Sequence, residues 1–245
     1  ADSRQEIDER LGRLAEGAGC GHVHIFLRRC QDRRMSLSAP PPHVPLVGRL
    51  VTVAPLSRDD LPELHAAIGR PEVFAGGWGG GAAAWRADYD EWAEFMRGYL
   101  LWDSGLVSGV RRTVPGDPDA RGELVGTTTV GLVDLAAESA HLGWTAYAPE
   151  VWGTGVNAET KLLVLGALFE HGLERVQIQA DAANERSRAA ILKLGATAEG
   201  VLRHAQRRAD GSWRDTAVYS VLSDEWPGVR DGLMRRLAVV QQPSR

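Results

Sequence analysis

The chain has 245 residues, 44% of them apolar, 24% charged and 7% aromatic, which excludes a collagen-like chain, a coiled-coil rod and a wholly disordered polymer. Its 28 Lys and Arg against 32 Asp and Glu leave a net charge of −4, without the basic excess of a nucleic-acid binder. Of the cations only Lys161 and Lys193 are lysines; with so much Ala and Gly, the arginine bias reads as codon usage and not as an arginine patch.

The longest apolar run, residues 162–169, falls far short of the roughly 20 residues that span a bilayer. Residues 1–19 lack the apolar core of a signal peptide, and Cys20 and Cys30 make no disulfide framework. A cytoplasmic protein with neither membrane nor nucleic-acid partner is expected.

In chain order, Ile7, Leu11 and Leu14 have helix spacing and residues 22–27 read as a short strand. Cys20, His22 and His24 would share one face of that strand, with Cys30 beyond it. The tight paired spacing of tetrahedral sites is missing, so no metal is expected. Met35 stands where a start codon would lie, and a Pro-rich linker follows. Residues 1–45 are therefore expected to be an extension, 46–237 one domain and 238–245 a tail.

From residue 46 strands and helices alternate. Residues 50–54 read as a strand, and Ser57 caps a helix running to about Ile68. A glycine-dense loop, 76–81, precedes a helix over 88–102 with Trp92, Phe95, Met96 and Tyr99 on its apolar side. Strands at 107–114 and 124–133 form a hairpin, and 141–148 is a further strand. An apolar helix over 158–171, a strand over 176–180 and a helix over 185–194 stopped by Gly195 follow. Residues 197–202 and 213–222 make a last hairpin, and 227–237 a closing helix. The pattern is that of one mixed α/β domain.

The informative stretch is 143–184: strand, PEVWGTGVN, helix, strand. Gly153 and Gly155 let the backbone curl at a helix N-terminus, where free N–H groups and the helix dipole favour a phosphate. A plain strand-to-helix turn would use the same glycines. The G-x-x-x-x-G-K-[ST] pattern of a P-loop is absent. Gly153, Gly155, Ala158 and Asp181 satisfy a dinucleotide fingerprint, but four residues, Pro149 to Trp152, separate strand from glycine, and the chain has no room for a second βαβ half. The dinucleotide reading is the weaker alternative.

At these residues the chain resembles the GNAT acyl-CoA N-acyltransferase superfamily, in particular its RimJ/RimL-like branch. The resemblance runs from about Leu46 to Leu237 and rests on HLGWTAYAPEVWGTGVNAETK, NERSRAAILKLGATAEGVLR and DGSWRDTAVYSVLSDEWP in that order. The family's pyrophosphate loop, [QR]-x-x-G-x-[GA], falls on Trp152, Gly155 and Asn157, so its first and last positions depart from the pattern. The resemblance implies a mostly antiparallel twisted sheet, flanked by helices, with one parallel pair splayed where acetyl-CoA binds. It implies direct transfer of an acetyl group to a primary amine, on a protein or peptide N-terminus or a small molecule. With the resemblance, no metal is expected, and a homodimer is compatible with the family.

Implied cofactor contacts are Trp144, Thr145, Ala146, Trp152, Gly153, Thr154, Gly155, Val156, Asn157, Asn184 and Ser187. Many relatives carry a Tyr general acid where this chain has Ile191, which leaves Ser187 as the acid candidate. Asn184 equally suits a helix cap. His141 and Glu138 are the candidate bases, although a strand histidine more often packs and a surface glutamate is more often solvated. Trp78 and Trp85, with the acidic face of Asp88, Asp90, Glu91 and Glu94, are candidate walls for the acceptor, although a flexible connector and a solvated face are the favoured reading. Arg203, Arg207, Arg208 and Arg214 cluster with Asp215 near the last hairpin, facing an acidic acceptor, a CoA phosphate or another subunit. A non-catalytic acyl-CoA-binding module is the reading from another class.

Overall fold

The computed structural model describes residues 39–117 and 120–239. The helix and strand expected before residue 34, with Cys20, His22, His24, Cys30 and Met35, lie outside them. Eight strands make one sheet in the order β1-β2-β3-β4-β5-β6-β8-β7. They are β1 (Leu46–Val47), β2 (Val51–Pro55), β3 (Leu106–Arg112), β4 (Leu124–Asp134), β5 (Ser139–Tyr147), β6 (Arg175–Asp181), β7 (Thr197–Arg207) and β8 (Trp213–Leu222). Every neighbouring pair is antiparallel except β5 and β6. A parallel pair needs a crossover, and α4 (Val156–His171) supplies it. The sheet is thus the mixed, largely antiparallel one expected, and its topology rules out the doubly wound dinucleotide fold.

The remaining helices are α1 (Leu61–Ile68), α2 (Pro71–Ala75), α3 (Tyr89–Tyr99), α5 (Glu185–Leu194) and α6 (Trp226–Val239). Helix α1 packs on β4 and α3 through Leu61, Leu64, Ile68, Trp92 and Met96, all fully buried. Helix α4 packs on β2 and α6, with Leu165 and Leu233 in that core.

Several boundaries differ from the sequence reading for local reasons. Ser57 and Asp60 form a capping box around a 3-10 turn, Arg58–Asp60, so α1 begins only at Leu61. The helix expected to reach Trp102 ends at Tyr99 because Leu100 is extended and the Trp102 indole donates to the Met96 carbonyl at 3.0 Å. The loop over 76–81 is not a plain connector: α2 precedes it, and it carries the 3-10 turn Trp78–Gly80. Strand β7 runs on to Arg207 with bulges opposite β8, where the sequence suggested a stop near 202. Of the expected linker, Pro41 is buried and His43 is hydrogen-bonded to Ser108 Oγ at 3.1 Å, so its described end lies against the fold.

One buried carboxylate ties the crossover helix to the opposite half of the sheet. Glu159 accepts from the backbone N–H groups of Arg49 (3.2 Å), Leu50 (2.6 Å) and Val51 (2.8 Å), where the chain enters β2. Gly48 makes this approach feasible: a Cβ there would sit 2.7 Å from Glu159 Oε2 and 2.9 Å from the Val51 carbonyl oxygen. Glu159→Ala strands these donors and is expected to lower unfolding stability by about 3 kcal/mol. Glu159→Gln keeps one acceptor and should lose less. Denaturant melts check this, and a loss below about 1 kcal/mol for the alanine variant would contradict it.

Candidate active site

Strands β5 and β6 pair only at Ser139–Arg175, Ala140–Val176 and His141–Gln177. Beyond those residues β5 follows β4 and β6 follows β8, so the two strands part. Strand β5 bends here: Thr127 opposes Ala146 and Thr129 opposes Gly143, leaving Trp144 and Thr145 opposite the single residue Thr128. Trp144 takes a left-handed φ of 49°, costly for a bulky side chain. This is a β-bulge, which kinks the strand and takes a residue out of the hydrogen-bond ladder.

A cavity of about 610 Å³ fills the gap. Its walls include residues 142–147 of β5, residues 178–181 of β6, Trp152, Gly153 and Asn157 before and on α4, and Asn184, Ser187 and Ile191 at α5. Helix α4 opens into it at its N-terminal end. Gly153 turns the chain with φ 76°, and the N-cap is Gly155, which has no side chain to cap the helix. Thr154 Oγ1 donates to the Val151 carbonyl at 2.6 Å and accepts weakly from Val156 N–H at 3.3 Å. The Asn157 and Ala158 amides have no acceptor among the described residues. Open amides with a helix dipole behind them are the kind of group that favours an anion.

Trp152 does more than occupy a departing motif position. Its indole donates to the Tyr147 carbonyl at 2.9 Å, and the Arg186 guanidinium stacks 3.8 Å from its ring centroid. Trp152 and Arg186 both line the cavity, so a cation stands where the family pattern has a polar side chain. On the far side Asp181 is buried and held by Arg208 through bonds of 2.9 Å to each carboxylate oxygen, with Arg214 Nε at 3.9 Å. Asp181 Oδ1 also accepts from Ala183 N–H at 2.9 Å, so both carboxylate oxygens are already engaged within the fold. Trp78, Phe95 and Tyr99 form an aromatic wall, with Trp78–Tyr99 edge to face at 5.3 Å and Phe95–Tyr99 stacked at 5.2 Å. Burial pushes the Tyr99 phenol up to about 12, which keeps it uncharged.

His141 lines the cavity where the strands part, with both ring nitrogens buried and without a partner among the described residues. Burial, assisted by Lys161 and Arg214, lowers its pKa to about 4, so the imidazole is neutral at pH 7 and a weak base. Ser187 also faces the cavity, and its backbone N–H donates to Asn184 Oδ1 at 2.9 Å, so Asn184 does cap α5. Ile191 is buried in the wall.

Other sequence candidates lie off the cavity walls. Glu138 precedes β5 at the end remote from the parting, its carbonyl accepting from Glu174 N–H at 2.7 Å. The Trp85 indole is engaged with the Gly69 carbonyl at 3.2 Å, and Asp215 Oδ1 accepts from His204 N–H at 2.8 Å. Asp88 caps α3, while Asp90, Glu91 and Glu94 are exposed on it, a solvated face away from the cavity. Of the arginine cluster, Arg207, Arg208 and Arg214 reach the cavity and Arg203 does not.

Lys161, Arg186, Phe95 and Tyr99 are cavity residues the sequence reading passed over. One signal was available: Lys161 is a lone lysine in a strongly apolar helix. Among the described residues no cluster of His, Cys, Asp and Glu could hold a metal, and no helix is long and apolar enough to cross a membrane.

Comparison with known proteins follows the same lines. Residues 50–197 match the family model described as an acetyltransferase (GNAT) domain. No curated protein matches the chain. A solved T. thermophilus protein assigned to the acetyltransferases is 33% identical, with TM-score 0.65 over 79% of this chain and 97% of its own. A GCN5-related N-acetyltransferase from Brucella melitensis shares the fold at 24% identity, with TM-score 0.72 over 83% of this chain and 90% of its own. Mycobacterium smegmatis RimJ, solved in complex with CoA-disulfide, shares it at 20% identity, with TM-score 0.58 over 78% and 91%.

Gly155→Asp places a carboxylate that caps α4 itself, on the two open amides. Affinity for CoA is expected to fall at least about tenfold by calorimetry, close to 1.4 kcal/mol, without loss of melting temperature. Unchanged affinity would contradict the anion site. His141, followed by imidazole proton shifts, should not titrate between pH 5 and 8, and a midpoint near its ordinary 6.5 would contradict its burial as a neutral ring.

Proposed function

The chain belongs to the GNAT acetyltransferase family, and on that premise we propose that it moves the acetyl group of acetyl-CoA directly onto a primary amine seated against the Trp78–Tyr99 wall. The family makes the protein an acyltransferase that uses acetyl-CoA, so the non-catalytic alternative falls away. The assignment of residues and the acceptor class are our reading, as are the boundaries of domain 46–237 between 1–45 and 238–245, and pairing with a second copy. Exposure of β7 along its whole length, including Val201 and Leu202, supports the last of these.

The observation that carries the reading is the parting of β5 and β6 over the open end of α4. The Asn157 and Ala158 amides, with Arg186 on Trp152, take the diphosphate, and the pantetheine arm lies between the strands. The bulge at Trp144 and Thr145 offers a backbone donor to the thioester oxygen, whose charge grows as the amine attacks. Holding amine and thioester in line supplies much of the rate. Neutral His141 accepts a hydrogen bond from the acceptor nitrogen and aims its lone pair. Ser187 gives the departing thiolate a hydrogen-bond donor.

Charge narrows the acceptor. Arg186, Arg207, Arg208 and Arg214 line the cavity, and Asp181 is the acid among them, already bound by Arg208. Such a chamber repels a polycation and suits an amine whose neighbouring groups are neutral or acidic, as on a peptide N-terminus or a small amino acid. Thiol release from acetyl-CoA should therefore appear with trialanine or L-glutamate and not with spermidine. Release with spermidine alone would overturn the acceptor reading, and failure to bind acetyl-CoA would overturn the site. Ser187→Ala should cut kcat roughly 10²-fold at unchanged acceptor KM, and a wild-type rate would remove Ser187 from the chemistry.

A further inference from the structure

Lys161 lies one helical turn beyond Asn157 and has no part in the steps above. Its side chain is buried, it lines the cavity, and its Nζ donates to Thr145 Oγ1 at 3.1 Å. Thr145 in turn meets Thr128 Oγ1 at 2.8 Å and the Gly143 carbonyl at 3.3 Å, which fixes its hydroxyl at the β5 bulge. No carboxylate among the described residues pairs with Lys161. Buried charges are normally paired, and an ammonium with three donors and one partner is poorly satisfied here.

The surroundings explain its state. From β5, His141 faces the same cavity as a neutral ring, and from β8 comes the cation Arg214. From β6, Asp181 is taken by Arg208 and Arg214, and on its own helix Glu159 is taken by the Arg49–Val51 amides. No carboxylate among the described residues offsets the desolvation of the charged amine, and burial lowers its pKa to about 7. A neutral Nζ that donates to Thr145 keeps a lone pair for the cavity.

Resting on the acetyl-transfer reading, we propose that Lys161, oriented by Thr145, is the base that takes the proton from the acceptor ammonium. An ammonium has no lone pair, so one proton must leave before attack. That proton moves to Lys161 Nζ. The freed amine forms the N–C bond as the C–S bond breaks, its second proton neutralises the thiolate through Ser187, and Lys161 returns its proton to solvent. Amine, acetyl group and protons balance, and no further reactant is required. His141 is the poorer resting place for that proton, because its conjugate acid is much the stronger, with a pKa of about 4 against about 7 for Lys161.

The test exploits the chain's having two lysines, Lys161 and Lys193. In protein labelled with 15N-lysine, the resonance lost in Lys161→Met should titrate near pH 7 and shift when acetyl-CoA is added. With trialanine as acceptor, kcat/KM should rise through about pH 7. Lys161→Met should remove that limb and lower kcat about 10²-fold at pH 7 with acetyl-CoA affinity retained. His141→Gln should leave the limb where it is, and Thr145→Val should displace it. Hydroxylamine, uncharged at pH 7, needs no such base and should be acetylated equally by wild type and Lys161→Met, which also reports that the variant is folded. An Nζ charged through pH 9, a limb that survives Lys161→Met, or equal loss toward hydroxylamine would each overturn the proposal. Failure of wild type to bind acetyl-CoA would strike the function reading instead, and the titration would still decide whether Lys161 is a base.

Discussion

The departure of β5 from β6 after three paired residues is the constraint on which everything else rests. Hydrogen-bonded strands close a sheet against solvent; two that begin parallel and then follow different neighbours leave a wedge between them. The bulge at Trp144 and Thr145 bends β5 toward β4, and β8 draws β6 the other way. Crossover helix α4 starts at the mouth of this wedge with two amides that have no acceptor among the described residues, so the geometry that opens the cavity also sets a helix N-terminus beside it.

Around the wedge, polar groups are arranged by what they are denied. Glu159, one turn into α4, is spent on backbone amides at β2, and Asp181 on Arg208 and Arg214. The carboxylates that would charge Lys161 or His141 are therefore occupied elsewhere. Two basic groups face the cavity with lowered pKa values, His141 at about 4 and Lys161 at about 7. Burial disfavours the charged form of each, which is the main cause of both shifts.

Much of the fold was legible because it rests on local chemistry. Glycine after a helix, a cap at Ser57 and period-two strands are short-range signals, and the chain order of strands and helices followed from them. The loop from Gly153 to Asn157 was readable for the same reason. Long-range pairing hid the rest. Trp152 looked like the loss of a polar contact until α5 brought Arg186 over its ring. Glu138 looked close to the chemistry in sequence, yet it sits at the paired end of β5. Tyr99 and Phe95 followed helix periodicity and read as core, and the loop over 76–81 turned them into a cavity wall. Asp88, Asp90, Glu91 and Glu94 read first as a solvated face and second as an attraction for an amine, and they lie in solvent.

The most direct measurement is of the amides themselves. Backbone 15N shifts recorded during titration with CoA should move most at Asn157 and Ala158, saturably, with smaller changes along residues 142–147 and 178–181. Movement confined to other surfaces, with those two amides silent at saturation, would contradict the account.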